Sequence, residues 1–145
     1  MKRNEKGFTL IEAVITLIIL SLSVSLSFRF IIPLYDYMQL NSALSVFSAD
    51  LHLARDSNMM QQTEEGRLII RIYHEENRYT LTQNQTLLLE RQLPTGVQIL
   101  HANPISTISF NERGNLGQGR TLTFLSQHHE RRVVFSVGAG GFDVR

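Results

Sequence analysis

The stretch Lys6-Gly7-Phe8-Thr9-Leu10-Ile11-Glu12 joins a short basic leader to an apolar run that reaches Phe28 without further charge. From Phe8 to Phe28 there are 21 residues, and Glu12 is the one charged side chain among them. An α-helix needs about 20 predominantly apolar residues to cross a hydrocarbon layer of ~30 Å, so this run is long enough to span. Lys2, Arg3 and Lys6 against Glu5 leave residues 1–7 with a net charge of +2. Basic residues beside a span hold that end in the cytoplasm, and the chain beyond the run is then expected outside.

Two ordinary readings compete here and fit less well. A secretory signal has an apolar region of about 7 to 15 residues followed by a small-x-small cleavage site. Ser25-Leu26-Ser27 imitates that site, but the run is too long. An acid near its start would also oppose insertion by roughly 2.5 to 3.5 kcal/mol if it sat at mid-membrane. A plain single-pass anchor matches the length and leaves Glu12 without a purpose, whereas an ionisable residue inside a membrane segment calls for a named partner.

Gly7-Phe8-Thr9-Leu10-Ile11-Glu12-Ala13 resembles the processing signal of type IV pilins and type II secretion pseudopilins. The resemblance implies that a membrane-embedded aspartic peptidase cuts between Gly7 and Phe8, methylates the new N-terminal Phe8, and leaves the membrane helix in place. Glycine suits such a site because it puts no side chain in the way of a protease that must reach the backbone. The resemblance also supplies a partner for Glu12, the α-ammonium of Phe8 in a neighbouring subunit. With a reference pKa of about 7.7 to 8.0, that group is largely cationic at neutral pH. Pairing offsets part of the cost of placing each charge in apolar surroundings.

Beyond the run, Arg29 marks the interface, and Pro33 is expected to interrupt the helix with a kink near Phe30 to Pro33, because proline removes a backbone donor and clashes with the preceding turn. Ser21, Ser23, Ser25 and Ser27 alternate with apolar residues as a strand would. An open strand cannot satisfy its backbone in lipid, so the serines are read as helical residues that bond preceding carbonyls and loosen the helix. From Leu34 to about Asn58 the period is helical. Leu40, Leu44, Phe47, Leu51 and Ala54 fall on one face, with Asp36, Gln39, Ser42 and Asp50 left to lie elsewhere.

The remainder reads as strands at Leu68–Tyr73, Arg78–Thr82, Thr86–Leu93, Val97–His101, Ser106–Phe110, Thr121–Leu125 and Arg132–Val137. His74-Glu75-Glu76-Asn77 has hairpin spacing. Gly114, Gly117, Gly119, Gly138, Gly140 and Gly141 mark turns where a positive φ is cheap. The expected fold class is α+β, a pilin fold in which a long N-terminal helix, half membrane-spanning and half amphipathic, packs on a small antiparallel β-sheet domain. Its parts are a leader over residues 1–7, a transmembrane or filament-core helix over 8–32, and a soluble domain over 33–145. Phe110, Phe124 and Phe135 are expected in one core under the helix stripe.

The C-terminal half, with Ile108-Ser109-Phe110-Asn111-Glu112-Arg113-Gly114-Asn115, Thr121-Leu122-Thr123-Phe124 and Val133-Val134-Phe135-Ser136-Val137-Gly138, resembles the GspH-like pseudopilin domain. It is similar in particular to the ComGD-type minor pilins of Gram-positive competence systems. Relatives often close with a Gly-x-Gly-Arg turn. Here Gly138-Ala139-Gly140-Gly141 lacks the arginine, so no contact of that arginine transfers.

Composition excludes several classes. The net charge is +1 and there is no cysteine, so a disulfide framework and cysteine-based metal or nucleophile sites are out. No half of the chain is the concentrated basic footprint of a nucleic-acid binder, and Arg131-Arg132 beside His128-His129 reads as a solvated loop or strand edge. His52, His74, His101, His128 and His129 lack metalloprotease spacing, and the adjacent pair would point to opposite faces of a strand. Glu64-Glu65 and Glu75-Glu76 suit solvated turns. The Asn84-Gln85-Thr86 sequon carries no weight, and Gly114 to Gly119 lacks the lysine and strand-to-helix setting of a phosphate loop. No metal, no cofactor and no enzymatic activity are expected.

The expected function is that of a minor pilin in a competence pilus that supports uptake of transforming DNA, with DNA contact indirect, through the pilus. Its implied partners are major and minor pilins, the prepilin peptidase, and the pilus assembly platform with its ATPase. A type II secretion pseudopilin, or a single-pass anchored binding domain, stands as the alternative.

Overall fold

A computed structural model of the protein describes residues 9–60, 66–100, 105–136, 138 and 141–145. The chain divides into two units, Met1–Tyr35 and Asp36–Arg145. Helix α1, Leu10–Met60, supplies residues to both and contains Pro33. The expected interruption at Pro33 does not occur, since α1 continues through it. A proline forfeits a single i→i−4 bond, here to the Arg29 carbonyl, and the turns on either side keep theirs.

In the second unit α1 is amphipathic. Leu40, Ala43, Leu44, Phe47, Leu51 and Ala54 are buried at helical spacing, which includes all five residues of the expected stripe. The strands are β1 Leu68–Tyr73, β2 Arg78–Gln83, β3 Thr86–Gln92, β4 Gln98–Leu100, β5 Ile105–Ser109, β6 Arg120–Leu125, β7 Glu130–Phe135 and β8 Phe142–Val144. They form two four-stranded sheets of order β3-β2-β1-β5 and β4-β6-β7-β8, with every described pairing antiparallel. The chain therefore leaves the first sheet after β3, starts the second with β4, returns for β5 and then completes the second. Strand β8 is absent from the sequence reading, which took Gly138 to Gly141 as a closing turn.

One core serves both sheets. Phe47 makes an edge contact with Tyr79 of β2, centroids 5.1 Å apart, and a tilted one with Phe124 of β6 at 5.2 Å. Phe110, Phe124 and Phe135 belong to this core with the helix stripe, as expected. The turns follow local chemistry. Asn84 and Gln85 both take positive φ, 49° and 64°, the conformation of a two-residue hairpin whose twist matches its strands. Gly114 has φ +72°, and a Cβ there would lie 2.8 Å from Met59 Sδ and 2.9 Å from Arg55 Nε, so a side chain in this turn would have to displace those two side chains of α1. Gly117, by contrast, does not adopt a positive φ.

Three polar residues of α1 are anchors, which corrects the placement of Asp36 and Asp50 away from the packed side. Asn58 is fully buried. Its amide donates to the Leu68 and Phe110 carbonyls at 2.9 and 3.1 Å and accepts from Leu68 N at 2.6 Å. Asp50 accepts from the Tyr79 hydroxyl at 2.6 Å and pairs with Arg91 Nε at 2.9 Å. Burial, followed by this bond to Asp50, pushes the Tyr79 phenol far above its ordinary range.

Asp36 accepts from Ser126 Oγ at 2.8 Å and from the backbone N–H groups of His128 and Gln127 at 3.0 and 3.3 Å. Desolvation opposes its ionisation, but the bonds from Ser126, His128 and Gln127 outweigh it and hold the carboxyl below its ordinary value. Its three partners lie in the β6–β7 turn. His128 and His129 are thus turn residues, not neighbours on opposite faces of a strand. Asp36 supplies the acceptors that keep the turn's backbone donors from going unpaired.

Candidate functional site: the exposed apolar helix

The N-terminal unit starts with a cap. Glu12 N donates to Thr9 Oγ1 at 3.4 Å and Ala13 N to the Thr9 carbonyl at 3.2 Å, so Thr9 is the N-cap and Glu12 the third helical residue. This is the Thr-x-x-Glu arrangement of a capping box. It places a negative side chain in the first turn, where the helix dipole favours it. The sequence reading passed over Thr9, although a Thr three residues before Glu at the head of an apolar run is the local signal for it. Gly7 and Phe8 lie outside the described residues.

From Thr9 to Ile32 every side chain is exposed. The most apolar 18-residue window has a mean hydropathy of 2.2, and none of it is buried. Leu10, Leu20 and Phe30 are 85, 56 and 74% exposed. A helix that is apolar all round needs an apolar surrounding on every side, which water does not provide.

Its hydroxyls are satisfied internally. Thr16 donates to the Glu12 carbonyl at 2.7 Å, Ser21 to Ile18 at 2.8 Å, and Ser23, Ser25 and Ser27 to Ile19, Ser21 and Ser23 at 2.9 Å each. The serines are helical, as the lipid argument required, and a helix with no unmet hydroxyl can face hydrocarbon without the penalty of an orphaned polar group.

Elsewhere, the residues set aside as structural have structural surroundings. His74 lies within 3.1 Å of the Ile99 carbonyl through Nδ1 and 2.9 Å of Ser106 Oγ through Nε2, which bridges the two sheets. His52 packs on the Phe142 ring at 4.7 Å. Glu76 pairs with Arg78. Glu64, Glu65 and His101 lie outside the described residues. Among the described residues no group of three or more His, Asp or Glu is arranged to hold a metal ion.

The family model described as the prokaryotic N-terminal methylation motif matches residues 2–28, the stretch that contains Gly7, Phe8 and Glu12. Over 141 residues, 97% of this chain and 94% of the relative, the chain is 26% identical to the competence protein ComGD of Bacillus subtilis (strain 168). The chain is type IV pilin-like. No solved structure matches it. The pilin-like character resides in two separate features, a short N-terminal motif and an alignment that covers 97% of the chain. The motif alone covers less than a fifth of the chain. It is the second match that covers most of the β-rich unit as well.

Proposed function

We propose that this pilin-like chain is a minor pilin of a competence pilus, a structural subunit and not an enzyme. The observation that carries the proposal is a capped helix apolar on all sides, with Glu12 in its first turn, inside a segment that matches the methylation motif. Such a helix suits two successive apolar surroundings, the membrane before assembly and the packed helices of a filament afterwards.

In this proposal residues 1–7 are the leader, held in the cytoplasm, residues 8–32 span the membrane, and residues 33–145 stand outside and later on the surface pilus. The prepilin peptidase cuts between Gly7 and Phe8 and methylates Phe8. Glu12 then pairs with the Phe8 ammonium of a neighbouring pilin as the assembly platform and its ATPase extract the subunit. The near full-length similarity to ComGD favours competence over protein secretion. The pilus would support uptake of transforming DNA, with DNA contact indirect.

The test is Glu12→Val. A membrane anchor loses an unfavourable acid and works as before. A pilin loses one partner of a buried pair, worth about 3 to 5 kcal/mol, so cleavage and insertion continue while assembly stops. The expected result is a mature N-terminus at Phe8, absence from sheared surface fractions, and no transformation. Wild-type recovery of the valine variant in the sheared fraction, with normal transformation, overturns the role of Glu12.

A further inference from the structure

The outward face of the first sheet carries a row of side chains that strand register brings together. Glu90, Thr80, Arg71 and Thr107 are consecutive cross-strand partners on β3, β2, β1 and β5. Their neighbours along the strands, among them Tyr79, Leu81, Ile70, Ile72 and Ile108, are buried in the core. Side chains alternate between faces along a strand, so the row points away from the core.

Charge on this face is unevenly compensated. Arg78 reaches Glu90 at 3.4 Å, pairs with Glu76, and lies 4.2 Å from the Tyr73 ring centroid. Arg71 is exposed and has no acid partner among the described residues. Beside it on β2, the Thr80 hydroxyl is buried without a hydrogen-bond partner. Aliphatic side chains flank the row at both ends. Leu87 and Leu88 are 53 and 54% exposed, and Ile105 is 53% exposed. Leu88 is the extra residue of a bulge, since Thr82 pairs with Leu87 and Leu81 with Leu89.

We propose that this face is a subunit-docking surface whose occupant is the helix of a neighbouring pilin-type subunit that presents a carboxylate between aliphatic side chains. Arg71 takes the carboxylate, and the Leu87–Leu88 and Ile105 ends take the aliphatic flanks. Helix α1 of this chain illustrates the required chemistry, with Asp56 exposed between Leu53 and Met60, which are 55 and 84% exposed. A nucleic acid fits the face poorly. It would need a concentrated set of free cations to meet several phosphates, where Arg78 is already engaged by Glu76 and Glu90, and an open aromatic ring for a base to stack on, where the Tyr73 ring is already covered by Arg78. The proposal rests on the filament-subunit reading above.

The test places a photoreactive residue at Thr107, next to Arg71 across the strands, in the full chain expressed in cells. The expected product is an adduct with a pilin-type subunit. Arg71→Glu should lower its yield at least tenfold, Arg71→Lys should keep it, and abundance should stay unchanged in both. No adduct, an adduct with DNA or with a protein of another kind, or an Arg71→Glu variant that crosslinks at the wild-type level overturns the docking surface. The N-terminal residue of the same material separates the two readings. Mature protein beginning at Phe8 without an adduct removes the docking surface alone, whereas an uncut chain that still begins at Met1 removes the pilin reading beneath it.

Discussion

Helix α1 contains two regions of opposite design. Before Tyr35 its hydroxyl side chains bond to the helix's own backbone, as Thr16 and the four serines do. After Asp36 they bond to other elements: Asp36 to the β6–β7 turn, Asp50 to β2 and β3, Asn58 to β1 and the residue after β5. A region that satisfies itself can exchange one apolar solvent for another at little cost. The other region is committed to one fold, because the buried Asp50 and Asn58 would lose these partners in an alternative packing.

The largest contrast is expected from aromatic truncation. Phe47→Ala removes the side chain that touches both Tyr79 and Phe124 and should cost about 3 to 5 kcal/mol, much of a small domain's stability of ~5 to 15 kcal/mol. Phe28→Ala in the exposed region should leave denaturant unfolding of the second unit unchanged. Equal losses from the two variants in detergent-solubilised full-length protein would erase the distinction.

Asn58→Ala is expected next. It strips partners from the buried Leu68 N–H and from the Leu68 and Phe110 carbonyls, and each buried group left unsatisfied costs ~1 to 3 kcal/mol. Amide exchange should accelerate at Leu68 ahead of the rest of β1. Thr9→Ala, the corresponding loss in the first region, should cost about 1 kcal/mol of local helix stability and leave thermal unfolding of the β-rich unit unmoved.

Gly114→Ala should destabilise by about 1 to 2 kcal/mol from its left-handed φ, with the Met59 and Arg55 side chains displaced to make room. A thermal midpoint equal to wild type would show that the turn does not depend on that left-handed conformation.

The smallest effect concerns pH. The folded carboxyl of Asp36 is held below its ordinary value of 3.8. Its contribution is therefore fully present above about pH 4 and is lost as pH falls through the lower, folded value. Asp36→Asn should flatten the acid limb of the stability curve in that window. An unchanged acid limb would indicate that the turn does not depend on this carboxylate.

Much of this molecule is written locally. A 21-residue apolar run, a stripe at helical spacing and short β-rich segments between turns gave strand β1 to the residue and the other six expected strands within two residues at each end. The membrane-length helix and the stretch that matches the methylation motif are likewise contiguous, and contiguous patterns survive without knowledge of the fold. Asp50 and Asn58 were harder to read, because a polar residue on a buried face is indistinguishable in sequence from one beside it until its partner is known. Strand β8, three residues long, has too few residues to show alternation and exists through its pairing with β7.

The sequence by itself determined the long helix, its apolar and amphipathic halves, the positions of most strands and the aromatic residues of the core, because each follows from the period and polarity of neighbouring residues. Tertiary structure alone decided that β5 joins β1 while β4 and β8 join the other sheet, that Phe47 touches both sheets, and that Arg71 is exposed without an acid partner among the described residues. Those outcomes depend on pairs far apart in the chain, whose energies arise only when burial removes water from both partners at once.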